Sequence, residues 1–176
     1  MNCAEYLVDY LIQKGVTDVF GYSGGYIVPF MDALHERKEI NIHVCYNEQG
    51  SSFAANGYAR VSGKMGVYFT TSGPGAVNAL GGLADAWFDG VPLMGISGNV
   101  PTNEMKGFSG IRQNGFQEMD LVSITRHISK YSVTPNNAKD FPDIISRAYN
   151  IAMTGRKGGV VIDFPFDIQK ADITCW

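Results

Sequence analysis

The alternation of short β-rich runs with helical segments constrains the fold of this chain more than any other feature. Runs rich in β-branched and aromatic residues predict six strands, over residues 18–20, 40–46, 66–71, 91–97, 129–134 and 159–163. Apolar residues at helical spacing predict helices among them, over residues 27–34, 49–62, 76–89, 120–125 and 140–154. This order predicts an α/β fold with a doubly wound, mainly parallel six-stranded sheet and helices on both faces.

The chain is also predicted to begin with a helix, which starts at Asn2 and ends near Gly15. Asn2 and Glu5 have the spacing of a capping box, and glycine is the residue that most readily ends a helix. The apolar runs VPLMGIS (91–97) and GGVVIDF (158–164) fit central strands that are buried on both faces.

Composition excludes several classes of protein. The 176 residues suit one domain, and a hydrophobic fraction of 45% is typical of a globular core. A net charge of −3 with scattered Lys and Arg argues against a nucleic-acid partner. No run has the length of a membrane span, and the N-terminal stretch lacks the features of a signal peptide, so we expect a cytoplasmic protein without a membrane partner.

Cysteine and histidine show no metal-ligand spacing. Cys3, Cys45 and Cys175 are far apart and are predicted to be free thiols. The three histidines fit no zinc pattern, so no metal site is predicted within this chain.

Glycine-rich loops follow the first four predicted strands, with the sequences GYSGG (21–25), NEQG (47–50), TSGPG (71–75) and SGNVPT (97–102). In parallel sheets ligands bind at these strand ends. The common nucleotide fingerprints fail, because Asn78 replaces the third glycine after Gly73, and the stretch from Gly57 to Met65 has one residue too many for a Walker A loop.

Two stretches interrupt the alternation. Residues 98–118 form a long loop rich in Gly, Asn and Ser, which we expect to be mobile or completed by a partner. The tail after Phe166 shows no core pattern and resembles the start of a linker. We therefore expect one domain over residues 1–165 and a linker over residues 166–176.

The strand-end loops, taken together, resemble the N-terminal domain of acetolactate (acetohydroxyacid) synthases and of their decarboxylase and carboligase relatives. The resemblance extends over the whole chain and is carried by GYSGG, NEQG with AANGYAR, TSGPG with Asn78, GNVPT, GFQE (115–118), and TGR (154–156) with VVIDFP. The sequence departs from the family pattern at Ser23, Asn47 and Lys157, and the loop over residues 103–114 is longer than usual. These departures leave the exact substrate open.

The resemblance implies a domain that binds the aminopyrimidine end of thiamine diphosphate (ThDP). In the family, a carboxyl group hydrogen-bonded to the pyrimidine N1′ favours the imino tautomer, whose nitrogen removes the proton from C2 of the thiazolium ring. Glu48 occupies the position of this carboxyl group. A first-turn glutamate can also simply complement the helix dipole, and this is the alternative interpretation of Glu48.

The resemblance assigns expectations to further residues. Gly73 and Pro74 let the backbone approach the pyrimidine ring, with Asn78 nearby, and Gly24 and Gly25 lie near the reacting centre and the dimer interface. Phe116 and Gln117 reach the active site beside the substrate, which makes Gln117 a second catalytic candidate. Arg156 corresponds to an arginine that contacts FAD in the members that contain this cofactor. Each glycine can equally be an ordinary turn residue, and each polar residue can be a surface residue.

The resemblance also implies that this chain alone is incomplete as an enzyme. In the family a separate C-terminal domain holds the diphosphate through Mg²⁺ and a Gly-Asp-Gly motif, and this sequence has no Gly-Asp-Gly. The expected partners are a 2-oxo acid substrate and further copies of the chain, in a homodimer or a higher oligomer. Two alternatives stay open: a pyrimidine-binding subunit of a two-chain decarboxylase such as sulfopyruvate decarboxylase, and a non-catalytic α/β binding module.

Overall fold

The computed structural model describes residues 1–107 and 110–173, and within them it contains one six-stranded sheet. The strands are β1 (Asp18–Gly21), β2 (Asn41–Val44), β3 (Gly66–Thr70), β4 (Leu93–Asn99), β5 (Tyr131–Val133) and β6 (Gly159–Pro165). Their order across the sheet is β2-β1-β3-β4-β6-β5, and every neighbouring pair is parallel. The predicted α/β fold is confirmed.

Helices cover both faces of this sheet. They are α1 (Cys3–Gln13), α2 (Val28–His35), α3 (Glu48–Ser62), α4 (Pro74–Asn78), α5 (Leu80–Asp89), α6 (Leu121–Thr125), α7 (Phe141–Met153) and α8 (Phe166–Lys170). The largest core cluster joins α1, α2 and α7 to one face. Two smaller clusters join the helices α3, α4, α5 and α6 to the other face. Because both faces are covered, β3, β4 and β6 are buried along their whole length, as their apolar sequences predict.

Helix α1 begins as its sequence predicts. The Asn2 side chain accepts a hydrogen bond from the Glu5 backbone N–H at 2.9 Å, and the Glu5 carboxylate accepts one from the Asn2 N–H at 2.9 Å. Gly15 follows the last turn with a φ of +79°. The capping box and the glycine stop signal are both confirmed.

Several predicted boundaries are wrong. The single helix over residues 76–89 is two helices, which meet at Ala79, whose ψ of −7° lies outside the α-helical range. Gly81 and Gly82 directly after this point favour a helix only weakly, so little local preference opposes the break. Strand β4 begins two residues later than predicted, at Leu93, because Pro92 has no N–H to contribute to the ladder.

The stretch after Phe166 forms a helix that packs onto the domain. Ile168 is 7% exposed and Gln169 is fully buried, and the Gln169 Nε2 donates hydrogen bonds to the Tyr26 and Phe164 carbonyls at 2.7 and 2.8 Å. The expectation that this stretch has no core positions is therefore wrong. A five-residue helix is too short to show helical periodicity in its sequence. The boundary between a domain over residues 1–165 and a linker over residues 166–176 stays a prediction, and residues 174–176 lie outside the described residues.

Cys3 and Cys45 carry free thiols, as predicted, and burial raises the pKa of Cys3 to about 12. Cys175 lies outside the described residues. Along residues 1–107 and 110–173, no helix is long and apolar enough to cross a lipid bilayer.

Candidate functional site

The order of the strands brings three glycine-rich loops to one edge of the sheet. The chain passes from β1 to β2 on one side of β1, and then crosses to β3 on the other side. The carboxyl ends of these three strands therefore meet where the strand order reverses, which is where open α/β sheets bind ligands. The loops after β1 and β3 contain Gly24 and Gly73, and the loop after β2 ends at Glu48, the first residue of α3.

Glu48 is the first residue of α3 and lies half-buried at this edge. Asn47 fixes the start of the helix, because its side chain accepts a hydrogen bond from the Gly50 N–H at 2.7 Å. The Asn78 Nδ2 donates to the Glu48 Oε2 at 2.8 Å, across 30 residues of sequence. The structure thus brings Glu48 and Asn78 into direct contact, and one carboxylate oxygen is held by the chain itself.

The second carboxylate oxygen of Glu48 lies close to Gly75. A Cβ at Gly75 would lie 3.0 Å from Glu48 Oε1 and 2.9 Å from the Thr71 Cγ2. A Cβ at Gly24 would overlap the Thr71 side chain, whereas one at Gly25 would meet open space. Glycine at positions 24 and 75 therefore permits close packing around Thr71, while no contact requires a glycine at position 25. Among the described residues, the Glu48 Oε1 accepts no hydrogen bond.

Gly73 joins this edge to the loop that contains Phe116 and Gln117. Its φ of +58° and ψ of −122° suit glycine alone, and Pro74 begins α4 directly after it. A Cβ at Gly73 would lie 2.7 Å from the Gln117 carbonyl oxygen and 2.9 Å from the Gln117 Cβ. The structure thus places Gln117 against the Gly73 turn, while Phe116 is 68% exposed.

Arg156 lies at the opposite edge of the sheet. It precedes β6, and its Nη2 donates to the Phe88 carbonyl at 2.5 Å, close to the turn that leads into β4. The two residues line an open cleft of about 400 Å³ together with Trp87, Lys130 and Lys157. In a parallel sheet the amino ends of strands lie away from the carboxyl ends, so the structure does not bring Arg156 to Glu48.

Asn99 and Asp163 form a buried polar pair on β4 and β6, to which the sequence motifs assigned no role. Asn99, at the end of β4, donates from its Nδ2 to the Asp163 Oδ2 at 2.8 Å, and the Thr134 hydroxyl donates to the same oxygen at 2.9 Å. Burial raises the pKa of Asp163 to about 7. The available signal was an acidic residue within the apolar run GGVVIDF, on a strand predicted to be buried on both faces.

Another buried group stands beside Gly73. The Ser72 hydroxyl is only 2% exposed and has no hydrogen-bond partner within the described part of the chain. Most buried polar groups in proteins are satisfied, so an unpaired one next to an open edge is compatible with a bound ligand. The described residues contain no group of three His, Cys, Asp or Glu side chains that could hold a metal ion.

Comparison with known proteins identifies the family. The model of the N-terminal TPP-binding domain of thiamine pyrophosphate enzymes matches residues 1–124. The chain belongs to this family. This thiamine pyrophosphate enzyme domain is 42% identical to the acetolactate synthase large subunit of Lactococcus lactis subsp. lactis, over 97% of the chain and 29% of that protein. The resemblance inferred from the loop motifs is confirmed.

Other relatives give the same result. The domain is 40% identical to the large subunit of acetolactate synthase isozyme 2 of Escherichia coli, over 100% of the chain and 31% of that protein. It is 42% identical to the mitochondrial acetolactate synthase catalytic subunit of Saccharomyces cerevisiae, over 90% of the chain and 22% of that protein. The chain therefore spans less than a third of the length of these curated relatives, and the roles of individual residues stay predictions.

Proposed function

We propose that this domain binds the aminopyrimidine end of ThDP and presents the Glu48 carboxylate to the N1′ of that ring. The observation that supports the proposal most directly is the state of the two carboxylate oxygens. Asn78 holds Oε2 at 2.8 Å, while Oε1 lies beside Gly75 and accepts no hydrogen bond among the described residues. A carboxylate that is fixed through one oxygen and unpaired at the other suits a ligand that offers one ring nitrogen.

The residues present fit the flat ring of this cofactor. Glycine at position 75 brings backbone rather than a side chain up to the Glu48 carboxylate, and glycine backbone permits the close approach of a ligand. When bound, ThDP supplies a nucleophilic carbon at C2 of its thiazolium ring once the proton on that carbon has been removed. The chain's own contribution is to share a proton with N1′ through Glu48.

The surrounding residues orient Glu48 for this task. Asn47 holds the first turn of α3, and Asn78 restricts the rotation of the carboxylate. A hydrogen-bonded and partly buried carboxylate needs little reorganisation when it meets a ligand. A first-turn glutamate that only complemented the helix dipole would not need the hydrogen bond from Asn78.

The activity of the whole protein is proposed from its relatives. We infer a ThDP-dependent decarboxylation and carboligation of a 2-oxo acid of the acetolactate synthase type. The diphosphate and its Mg²⁺ would then be held by a domain outside these 176 residues, which contain no Gly-Asp-Gly motif. The loops at the Glu48 edge would face a second copy of the chain, in a homodimer or a higher oligomer.

We also propose that an FAD cofactor would contact the cleft lined by Arg156. The cleft at Arg156 combines cationic side chains with the exposed aromatic residues Trp87 and Phe88. Such surroundings suit a flat, negatively charged group such as a dinucleotide. An FAD contact would therefore lie on the opposite edge from Glu48 and would be independent of the ThDP site.

The decisive experiment replaces Glu48 by glutamine in the protein combined with its diphosphate-binding domain, ThDP and Mg²⁺. Glutamine keeps the shape but cannot share an acidic proton, so exchange of the cofactor C2 proton for deuterium should slow by about 10²- to 10⁴-fold. Exchange is followed by NMR and needs no substrate.

The matched control is Glu39→Gln, which removes an exposed carboxylate elsewhere and should leave exchange unchanged. Thermal unfolding should hardly change in either variant, because neither side chain belongs to the core. Wild-type exchange in Glu48→Gln would reduce Glu48 to a helix-end carboxylate and would refute the proposal.

A further inference from the structure

We propose that Asn99 and Asp163 form a buried positioning pair that holds the Met119 carbonyl and thereby seats the Gln117 turn on Gly73. The pair lies below the loop over residues 100–119 and makes no contact with Glu48 among the hydrogen bonds of the described residues. The contact between the Gln117 turn and Gly73 is made by this chain itself, with or without a cofactor. Its importance for catalysis rests on the proposed function.

The Asn99–Asp163 pair is held rigidly. Asn99 and Asp163 are each 3% exposed and lie on the paired strands β4 and β6. The Asn99 Nδ2 donates to the Asp163 Oδ2 at 2.8 Å and to the Met119 carbonyl at 3.3 Å, while its Oδ1 accepts from the Val100 N–H at 2.8 Å. Since both ends of the amide are engaged, the side chain has one favourable orientation.

Glu118 and Gly115 hold the loop above the pair in place. The Glu118 carboxylate accepts hydrogen bonds from the Lys106 and Asn114 backbone N–H groups, at 2.6 and 2.8 Å. A Cβ at Gly115 would lie 2.7 Å from the Val100 Cγ1, so the loop lies directly on the residue that follows Asn99. The loop is therefore held together by Glu118 and joined to the sheet through Asn99.

Met119 connects the pair to the Gln117 turn and so to the candidate site. Met119 follows Gln117 by two residues, and Gln117 is the one non-glycine residue with positive φ in the described part of the chain, at +56°. A glutamine persists in this unfavourable conformation only when its surroundings fix it. The Gln117 backbone contacts Gly73, and the turn of Gly73 continues through Gly75 to the Glu48 carboxylate.

The chemistry of the pair argues against a purely space-filling role. A buried carboxyl group loses hydration, and apolar residues of equal volume would usually fill such a space at lower cost. An apolar pair, however, could not donate to the Met119 carbonyl. The acceptor on Asp163 orients Asn99, and the donor on Asn99 reaches the loop.

The test compares variants that keep or remove these hydrogen bonds, in the chain without cofactor. Asp163→Asn keeps an acceptor for Asn99, whereas Asp163→Leu removes it and Asn99→Leu removes the donor to Met119. Opening of the loop is measured by tryptic cleavage after Arg112 and by hydrogen exchange of the peptide over residues 113–120. The two Leu variants should open about tenfold more readily, and Asp163→Asn should stay close to wild type.

Ile145→Val is the matched control, because it weakens the core at α7 without touching the loop. It should lower the unfolding temperature and leave loop opening unchanged. This result would distinguish a specific role of the pair in holding the loop from a general effect on stability. If the Leu variants fail to fold, Asn99→Ala removes the same donor with a smaller side chain and decides the question.

Wild-type opening in the variants that lack the donor would overturn the proposal. So would opening of Asp163→Asn to the extent of Asp163→Leu, because the charge rather than the acceptor would then matter. Neither outcome depends on whether Glu48 activates a cofactor, so this proposal and the proposed function can fail separately.

Discussion

Asp163 shows how one residue couples the core of this domain to pH. Burial is the main cause that raises the pKa of Asp163 from 3.8 to about 7, and the nearby Asp120 carboxylate adds to the rise, while hydrogen bonds from Asn99 and Thr134 oppose it. The folded chain therefore holds a proton that the unfolded chain releases at lower pH. The stabilising contribution of this proton is complete below about pH 3.8 and is lost as the pH rises through 7.

We predict that Asp163→Asn removes this dependence. The difference in the free energy of unfolding between variant and wild type should shift in favour of the variant as the pH rises from 4 to 7, by on the order of 1 kcal/mol or more. It should level off above pH 7. Denaturant unfolding of both proteins at matched pH values measures this difference, since all other titrating groups cancel. A difference that is constant with pH would show that Asp163 titrates normally.

At the scale of elements, the packing of α3 against α5 sets the distance between Glu48 and Asn78. Glu48 begins α3, and Asn78 ends α4, which leads directly into α5. Gly82 of α5 lies against Ser52 of α3, where an added Cβ would come within 2.6 Å of the Ser52 carbonyl carbon. The pairing of Arg60 with Asp85 and Asp89 joins the two helices further along.

We predict opposite effects for two neighbouring glycines of α5. Gly82→Ala forces backbone atoms apart and should lower the free energy of unfolding by about 1–3 kcal/mol. Gly81→Ala meets only side-chain atoms, the edge of the half-exposed Phe53 ring at 3.2 Å and the Gln49 Nε2 at 3.6 Å. It should be neutral or stabilising by up to about 1 kcal/mol because alanine favours helices.

Thermal unfolding distinguishes these two variants, since about 1 kcal/mol corresponds to roughly 2–4 °C in a domain of this size. The Gly81 variant is the control for the change in helix propensity. Equal unfolding temperatures for the two variants would show that α3 and α5 are not in tight contact.

At the scale of the whole molecule, an apolar face remains exposed along α3 and α4. It consists of Phe53 and Val77, which are 44% and 40% exposed. Near the start of α3, the Tyr46 side chain is fully exposed. Contiguous apolar surfaces on small domains commonly mark sites of protein association, and this one adjoins the Glu48 edge.

We predict that the chain dimerises through this apolar face. Sedimentation should show a dimer for wild type, and Phe53→Lys should shift it towards monomer because a charge would be buried at the interface. Val28→Lys is the control, since Val28 is equally exposed, at 42%, but lies on α2 at the other face of the sheet. A wild-type monomer at high concentration, or dissociation by Val28→Lys alone, would contradict this choice of interface.

Much of this molecule follows from local sequence. The alternation of strands and helices, the capping box at Asn2 and the start of α4 at Pro74 depend on residues that are close together in the chain. Hydrophobic period, caps and turn residues act over a few positions, so they can be recognised in the amino-acid sequence itself. The same local motifs carried the resemblance to the thiamine pyrophosphate enzymes, and through it the choice of Glu48.

Only the tertiary structure decided which distant groups meet. Asn78 contacts Glu48 across 30 residues, and Asn99 contacts Asp163 across 64. Such contacts depend on which strands become neighbours in the sheet, and this order is a property of the whole packed chain. The break at Ala79, the packing of α8 and the seat of Gln117 on Gly73 arise in the same way. The sequence by itself thus determined the fold class and the family, while the packing of the sheet assembled the candidate site and the buried pair beneath its loop.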